Sequence, residues 1–170
     1  MQRIVLRHGI IAGLILAGAL LLSTQFMDAM TDHVLGQVIG YLTMLVALSF
    51  IFVGIKRYRD LALEGKITFK RALLVGLYIS LIASIFYVAT WMIITELILT
   101  DWMDQYAVSY LEGLVSNEAS EAEIEEGRVL MQRYKEMYEN PWKKMGVTFL
   151  EIFPVGLLVS LVAALILKRK

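Results

Sequence analysis

Four long apolar stretches alternate with polar segments along this chain. They lie at about residues 9–26, 34–55, 73–98 and 145–167. Each approaches or exceeds the roughly 20 residues that an α-helix needs to cross the hydrocarbon core of a bilayer. The pattern predicts an all-α fold, in which residues 1–170 form a single membrane domain built as an integral membrane four-helix bundle.

The segment between the third and fourth apolar stretches, residues 101–144, is polar, acidic and rich in helix-favouring residues. Ser120 and Glu123 have the spacing of a capping box, which predicts the start of a helix. Apolar side chains then recur on one face until Asn140 and Pro141 end that helix. The sequence therefore predicts an external amphipathic helical segment, which packs on its own domain or lies on the bilayer surface.

The first apolar stretch follows basic residues, as the core of a signal peptide does. It is longer than a usual signal-peptide core, and the residues after it contain no convincing pair of small residues for cleavage. We therefore predict that it is retained as a membrane span.

Small residues recur every fourth position on several spans. Gly9 and Gly13 form such a pair on the first span, and Gly36 and Gly40 form another on the second. These pairs predict the contact faces of an antiparallel hairpin. The alternative is that glycine is simply common in membrane helices. On the third span the repeat marks a packing face at Gly76, Ser80 and Ser84.

The chain has 16 Lys and Arg residues and 16 Asp and Glu residues, so its net charge is zero. The positive and negative residues nevertheless lie mostly in different segments. Eleven of the basic residues lie at the N-terminus, in residues 56–71 and at the C-terminus. The segments on the opposite side of the spans, which include residues 101–144, hold twelve acidic residues. The positive-inside rule therefore predicts that both termini are cytoplasmic and that residues 101–144 are external.

Two segments closely resemble a bacterial membrane family catalogued as domain of unknown function 4199. They are residues 54–87, GIKRYRDLALEGKITFKRALLVGLYISLIASIFY, and residues 147–169, VTFLEIFPVGLLVSLVAALILKR. The match is an ordered set of motifs: GIK-x-YRD, then G-x-ITF, a third span, and E-x-FPVGL. The resemblance implies a small four-span protein of the bacterial cytoplasmic (inner) membrane that keeps its first span. It implies no activity.

Two carboxylates lie inside predicted spans, Glu96 near the end of the third and Glu151 near the start of the fourth. Both are expected about 7–12 Å below the outer boundary, so they can share a layer. One hypothesis is that they line an outward-facing site for a cation or small solute. The alternative is that Glu151 hydrogen-bonds a neighbouring helix and Glu96 is interfacial. Pro154 is expected to kink the fourth span and free the carbonyl near residue 150.

A second candidate site lies in the basic segment between the second and third spans. Tyr58, Arg59 and Asp60 are consecutive there, and the last two are expected to pair as a structural latch beneath the bundle. The surrounding lysines and arginines would meet anionic headgroups. The alternative is that these basic residues are ordinary topology signals.

Residue types that carry common catalysis are scarce. The chain has no cysteine, which excludes disulfides, thiolate nucleophiles and Cys-ligated metals. His8 and His33 are predicted at opposite membrane faces, and no glycine-rich phosphate loop is visible. We therefore predict no catalytic, cofactor-binding or metal-binding residues, and no enzyme activity.

These observations favour a non-enzymatic interaction or structural component of the membrane. Its expected partners are the lipid bilayer and a membrane or envelope protein or a second copy of the chain, with no nucleic acid. The alternative is a small transporter or channel that uses Glu151 and Glu96 for proton or cation coupling. An enzyme acting on lipid is the weakest alternative, because no catalytic constellation is visible.

Overall fold

The structure, a computed structural model, describes residues 1–25 and 33–169. Within these ranges every named element is an α-helix, which confirms the predicted all-α fold class. The helices are α1 (Gln2–Ser23), α2 (His33–Leu48), α3 (Phe50–Ala62), α4 (Phe69–Leu97), α5 (Trp102–Ser116), α6 (Glu121–Glu139) and α7 (Pro141–Leu167). The end of the predicted first span, at residue 26, lies outside the described residues.

Four helical stretches are long and apolar enough to cross a membrane, as predicted: Gln2–Ser23, Val38–Ala62, Phe69–Leu97 and Pro141–Leu167. They extend beyond the apolar runs because the flanking polar residues also favour helix, and lysine and arginine stems can lie along apolar surface. Pro141 suits the first position of α7, where its fixed φ is compatible with a helix and no amide donor is needed.

The second predicted span consists of two consecutive helices that meet at Ser49. The backbone amide of Ser49 donates to the carbonyls of Leu45 and Val46, at 3.0 and 3.2 Å. Its hydroxyl donates to the Val46 carbonyl at 2.6 Å. A serine that bonds back to its own helix in this way often bends it, which accounts for the break between α2 and α3.

The chain divides into two compact units, which are described separately below. The first comprises Met1–Trp91 and Thr148–Lys170, and the second comprises Met92–Val147. Helices α4 and α7 each contribute residues to both units. We refer to the first as the bundle unit and to the second as the charged unit.

Helix α1 packs against both α3 and α4, and the Gly54 position of α3 meets His8 of α1. A Cβ added to Gly9 of α1 would lie 2.8 Å from the Cβ of Ile82, and one added to Gly13 would lie 2.7 Å from the Cβ of Phe86. The glycines of α1 thus face α4, so the prediction that they face the second span is wrong. At Gly40 of α2 an added Cβ would meet nothing within 4 Å.

Helices α4 and α7 meet through glycine and serine on both sides. The Gly76 position faces Ser160 of α7, and Gly156 of α7 faces Ser80 of α4. Ser80 and Ser84 are fully buried, which confirms the predicted packing face of α4. Their hydroxyls have no hydrogen-bond partner among the described residues. Small side chains at this seam allow the two backbones to approach closely.

In the charged unit, α5 packs against α6. A Cβ added to Gly127 would lie 2.7 Å from Leu114, and Ala107 and Met131 are buried. The predicted capping box is confirmed, since Ser120 accepts from the amide of Glu123 and donates its own amide to that side chain. Helix α5 was not predicted as a separate element.

Candidate functional sites

Glu151 lies on α7 and meets Tyr87 of α4 within the bundle unit. The tyrosine hydroxyl donates to Glu151 Oε1 at an O···O distance of 3.4 Å. This is longer than the usual 2.5–3.0 Å, so the bond is weak. Tyr87 is buried, whereas Glu151 is exposed on the helix surface. A carboxyl group thus reaches the outside of a helix that is apolar enough to span a membrane.

Pro154 lies within α7, which continues as a helix to Leu167. Proline has no amide hydrogen, so Pro154 donates no bond to the carbonyl of Leu150. Pro154 follows Glu151 by three residues, a spacing that places both on adjoining parts of the helix surface, and both are exposed. The outer surface of α7 therefore presents a carboxyl group beside a backbone carbonyl that lacks its helical donor.

Glu96 has a partner in the charged unit, Lys144. The lysine Nζ donates to Glu96 Oε1 at 2.9 Å and to Thr95 Oγ1 at 3.2 Å. The Lys144 side chain is 7% exposed and that of Glu96 is 62% exposed. The pair is therefore asymmetric: a buried ammonium group is bound by a carboxylate that water reaches freely.

A cavity of about 260 Å³ adjoins this ion pair within the charged unit. Trp102 forms part of its wall and packs on Tyr106 and Tyr138, with ring centroids 5.4 Å apart in each case. A second ion pair, between Lys135 and Asp104, borders it. The lining residues are Thr95, Glu96, Leu99, Thr100, Trp102, Met103, Asp104, Lys135, Tyr138, Glu139 and Lys144. Three acidic and two basic side chains give the cavity a small excess of negative charge.

The two carboxylates singled out from the sequence belong to different compact units. Glu96 binds a lysine and Glu151 accepts from a tyrosine. Their convergence on one cation or solute site stays a prediction. The alternative for Glu96 was an interfacial carboxylate, and in the structure this carboxylate forms an ion pair with the buried Lys144.

At the proposed latch, Arg59 donates hydrogen bonds to two groups. Its Nε donates to Asp60 Oδ1 at 2.7 Å, and its Nη1 donates to the carbonyl of Leu167, the last residue of α7, at 3.4 Å. Tyr58 is half-buried and packs against the hydrophobic core. The arginine thus connects the end of α3 with the end of α7. The role of these residues as a latch stays a prediction, but the expected pair is present.

Lys144 is the functional candidate that sequence reasoning missed, because it was counted only as one basic residue of the 101–144 segment. A signal was available, because Lys144 immediately precedes the predicted fourth span and Glu96 lies near the end of the third. A lysine and a glutamate at matching depths on antiparallel helices are natural partners.

Across residues 1–25 and 33–169, no group of three or more His, Asp or Glu side chains is arranged to hold a metal ion. The family model described as "Protein of unknown function (DUF4199)" matches residues 7–169. No curated protein and no solved structure matches the chain.

Proposed function

The chain belongs to the DUF4199 family, and from this premise we propose that it is a non-enzymatic interaction component of a bacterial inner membrane. It binds another membrane protein through the exposed surface of α7 around Glu151. The proposal includes cytoplasmic termini and an external charged unit, supported by the distribution of basic residues along the chain.

The exposure of Glu151 carries this proposal. An ionisable side chain within a membrane helix is costly, about 2.5–3.5 kcal/mol for Asp, Lys or Arg at the helix centre, and such residues generally face protein or water. Tyr87 contributes a single long bond to this carboxyl group. A donor on a partner helix would satisfy Glu151, and the carbonyl of Leu150, which receives no bond from Pro154, offers that partner a second acceptor.

Single-cysteine cross-linking in native membranes tests the contact, because the chain has no cysteine of its own. Leu150 adjoins Glu151 and is 69% exposed, so Leu150→Cys reports on this surface. Val46 of α2 is 67% exposed and lies on a different helix, which makes Val46→Cys the matched control. Each cysteine is labelled with a benzophenone maleimide, whose photochemistry needs no thiol on the partner, and we expect a cross-linked species from Leu150→Cys and none from Val46→Cys.

Substitution of Glu151 in the Leu150→Cys background separates hydrogen bonding from charge. Glu151→Gln keeps a polar group and should preserve the cross-link, whereas Glu151→Leu should remove it. A species of twice 19.3 kDa identifies a second copy of the chain, and another mass identifies a different protein. Equal cross-linking at both cysteine positions, or none at Leu150→Cys, contradicts the proposal.

A transporter or channel is the second candidate, favoured by the charged cavity beside Glu96 and Lys144. Proton or cation flux into proteoliposomes tests it directly. Glu151→Gln should abolish the flux if this carboxyl group couples transport, although folding and cross-linking remain. Flux that survives Glu151→Gln excludes the carboxylate mechanism.

Orientation has its own test. A reporter fused after Lys170 should lie in the cytoplasm, and one inserted beside Ser120 should lie outside. The opposite pattern would overturn the argument from charge.

A further inference from the structure

A second cavity, of about 300 Å³, lies in the bundle unit where α4 begins. It is lined by Leu63, Lys66, Ile67, Thr68, Arg71 and Arg169. Three of these six residues carry a positive charge and none carries a negative one. The cavity therefore combines a concentrated positive charge with two aliphatic side chains, Leu63 and Ile67.

A backbone connection fixes the shape of this cavity. The amide of Ile67 donates to the carbonyl of Arg169 at 3.0 Å, and the amide of Arg169 donates to the carbonyl of Ile67 at 2.9 Å. Arg169, the second residue after α7, is thus held against the loop that precedes α4. Since these bonds involve main-chain atoms, substitution of the Arg169 side chain leaves them in place.

The three cations have no salt bridge among the described residues. The nearby Asp60 is paired with Arg59 and also attracts Arg169, but this one shared carboxylate leaves the cavity with its three cations positively charged. Lys66, Arg71 and Arg169 are exposed and available to an external anion. The start of α4 adds to the same field, because the first amide groups of a helix point outward and favour negative charge.

We propose that this cavity binds the phosphate of an anionic phospholipid headgroup. The two guanidinium groups suit a phosphate because each can present paired N–H donors to its oxygens. Lys66 adds a third cation, and the partly buried Leu63 offers an apolar contact to the glycerol region of the same lipid, while Ile67 is buried in the core and forms the floor of the cavity. The cavity lies at the end of helices that are apolar enough to span a membrane, where lipid headgroups are found.

Native mass spectrometry of the detergent-solubilised full chain measures the binding. The probes are phosphatidylglycerol and phosphatidylcholine, each added at the same concentrations. We expect retention of phosphatidylglycerol over phosphatidylcholine in the unsubstituted chain. The triple variant Lys66→Gln, Arg71→Gln, Arg169→Gln should bind phosphatidylglycerol at least tenfold more weakly.

A second triple variant provides the matched control. Lys56→Gln, Arg57→Gln, Lys70→Gln removes the same number of charges from the same region but does not alter the lining of the cavity. Its affinity for phosphatidylglycerol should change less than threefold. The double variant Arg71→Lys, Arg169→Lys keeps the charge but loses the paired donors, and should lower the affinity several-fold.

Three results would overturn the proposal. Equal losses in the two triple variants would show that the lipid responds to overall charge. Equal retention of the two lipids by the unsubstituted chain would show that the headgroup is not recognised. Displacement of phosphatidylglycerol by millimolar glycerol 3-phosphate or inorganic phosphate would identify a free phosphate as the ligand. Circular dichroism and thermal unfolding of each variant confirm that it has folded.

Discussion

The bundle unit and the charged unit are both helical, yet their helices are held together by different kinds of side chain. In the bundle unit, contact occurs at glycine and serine, as at Gly13 against Phe86 and Gly156 against Ser80. In the charged unit, two ion pairs and a contact between the rings of Trp102 and Tyr138 lie between elements. The difference follows from the surroundings expected for each.

Lipid provides no hydrophobic force between helices, so close van der Waals contact must supply the attraction, and small residues permit it. A unit that water reaches can instead use charge and the burial of aromatic rings. The two units should therefore be sensitive to different kinds of substitution. Adding a methyl group should harm the bundle unit most, and removing a charge should harm the charged unit most.

The largest effect is expected from Gly13→Ala in α1. The added Cβ would lie 2.7 Å from the Cβ of Phe86, an atom that the backbone fixes and that side-chain rotation does not move. Overpacking of this kind typically lowers the free energy of unfolding by about 1–3 kcal/mol, and we expect the upper half of that range. Unfolding in detergent, followed by Trp91 fluorescence with the other two tryptophans replaced by Phe, measures the change.

Gly18→Ala provides the control on the same helix, because an added Cβ there would meet nothing within 4 Å. It should leave stability unchanged or raise it by up to about 1 kcal/mol, since alanine is the better helix former. Similar losses from Gly13→Ala and Gly18→Ala would mean that the close contact with α4 is not what stabilises α1.

Gly156→Ala on α7 should cost somewhat less, because the side chain it meets is small. Its Cβ would clash with the Ser80 hydroxyl oxygen and lie 2.8 Å from the Ser80 Cβ. We expect a loss of about 1–2 kcal/mol in the same unfolding assay. The double variant Gly156→Ala, Ser80→Gly should recover most of that stability, and failure to recover would place the strain elsewhere.

Removal of either partner of the Glu96–Lys144 pair should affect the charged unit unequally. Glu96→Gln leaves the buried ammonium of Lys144 without its carboxylate, at a cost of about 1.5–3 kcal/mol. Lys144→Met leaves Glu96 exposed to water, at a cost of about 1 kcal/mol or less. Thermal unfolding followed by Trp102 fluorescence distinguishes the two. A larger loss from Lys144→Met would show that the pair is net attractive beyond the desolvation of the lysine.

The smallest effect concerns the start of α6. Ser120→Ala removes the capping hydroxyl and should lower stability by about 1 kcal/mol. Hydrogen bonds from the Ser120 side chain and backbone lower the pKa of Glu123 below its usual value of 4.5. This contribution is present above pH 4.5 and is lost as the pH falls through the lowered pKa. The difference in melting temperature between the unsubstituted chain and Glu123→Gln should therefore shrink on acidification.

Much of the fold could be predicted from the sequence because its signals are local. The length of each apolar run predicts a spanning helix, and the Ser120–Glu123 spacing predicts where α6 begins. Arg59 and Asp60 could be expected to pair because they are adjacent, and the arginine does donate to the aspartate.

The pairing of helices could not be predicted in the same way. Gly9 and Gly13 could be recognised as a contact face, but nothing in their spacing shows whether the partner is α2 or α4. The choice depends on the rotation of each helix about its axis, which the complementary shapes of Ile82 and Phe86 settle only after folding. For the same reason, because the rotation of each helix about its axis was unknown, Lys144 could not be predicted as the partner of Glu96.

The position of α4 in the chain gives the glycine contacts of α1 a consequence for biogenesis. Ile82 and Phe86, whose side chains pack against Gly9 and Gly13, are synthesised long after α1. At a synthesis rate of about 5–20 residues per second the delay is several seconds, during which lipid or the insertion machinery must cover the surface of α1 at these two glycines. The surface of α1 at Gly9 and Gly13 is therefore complete only after α4 has been made.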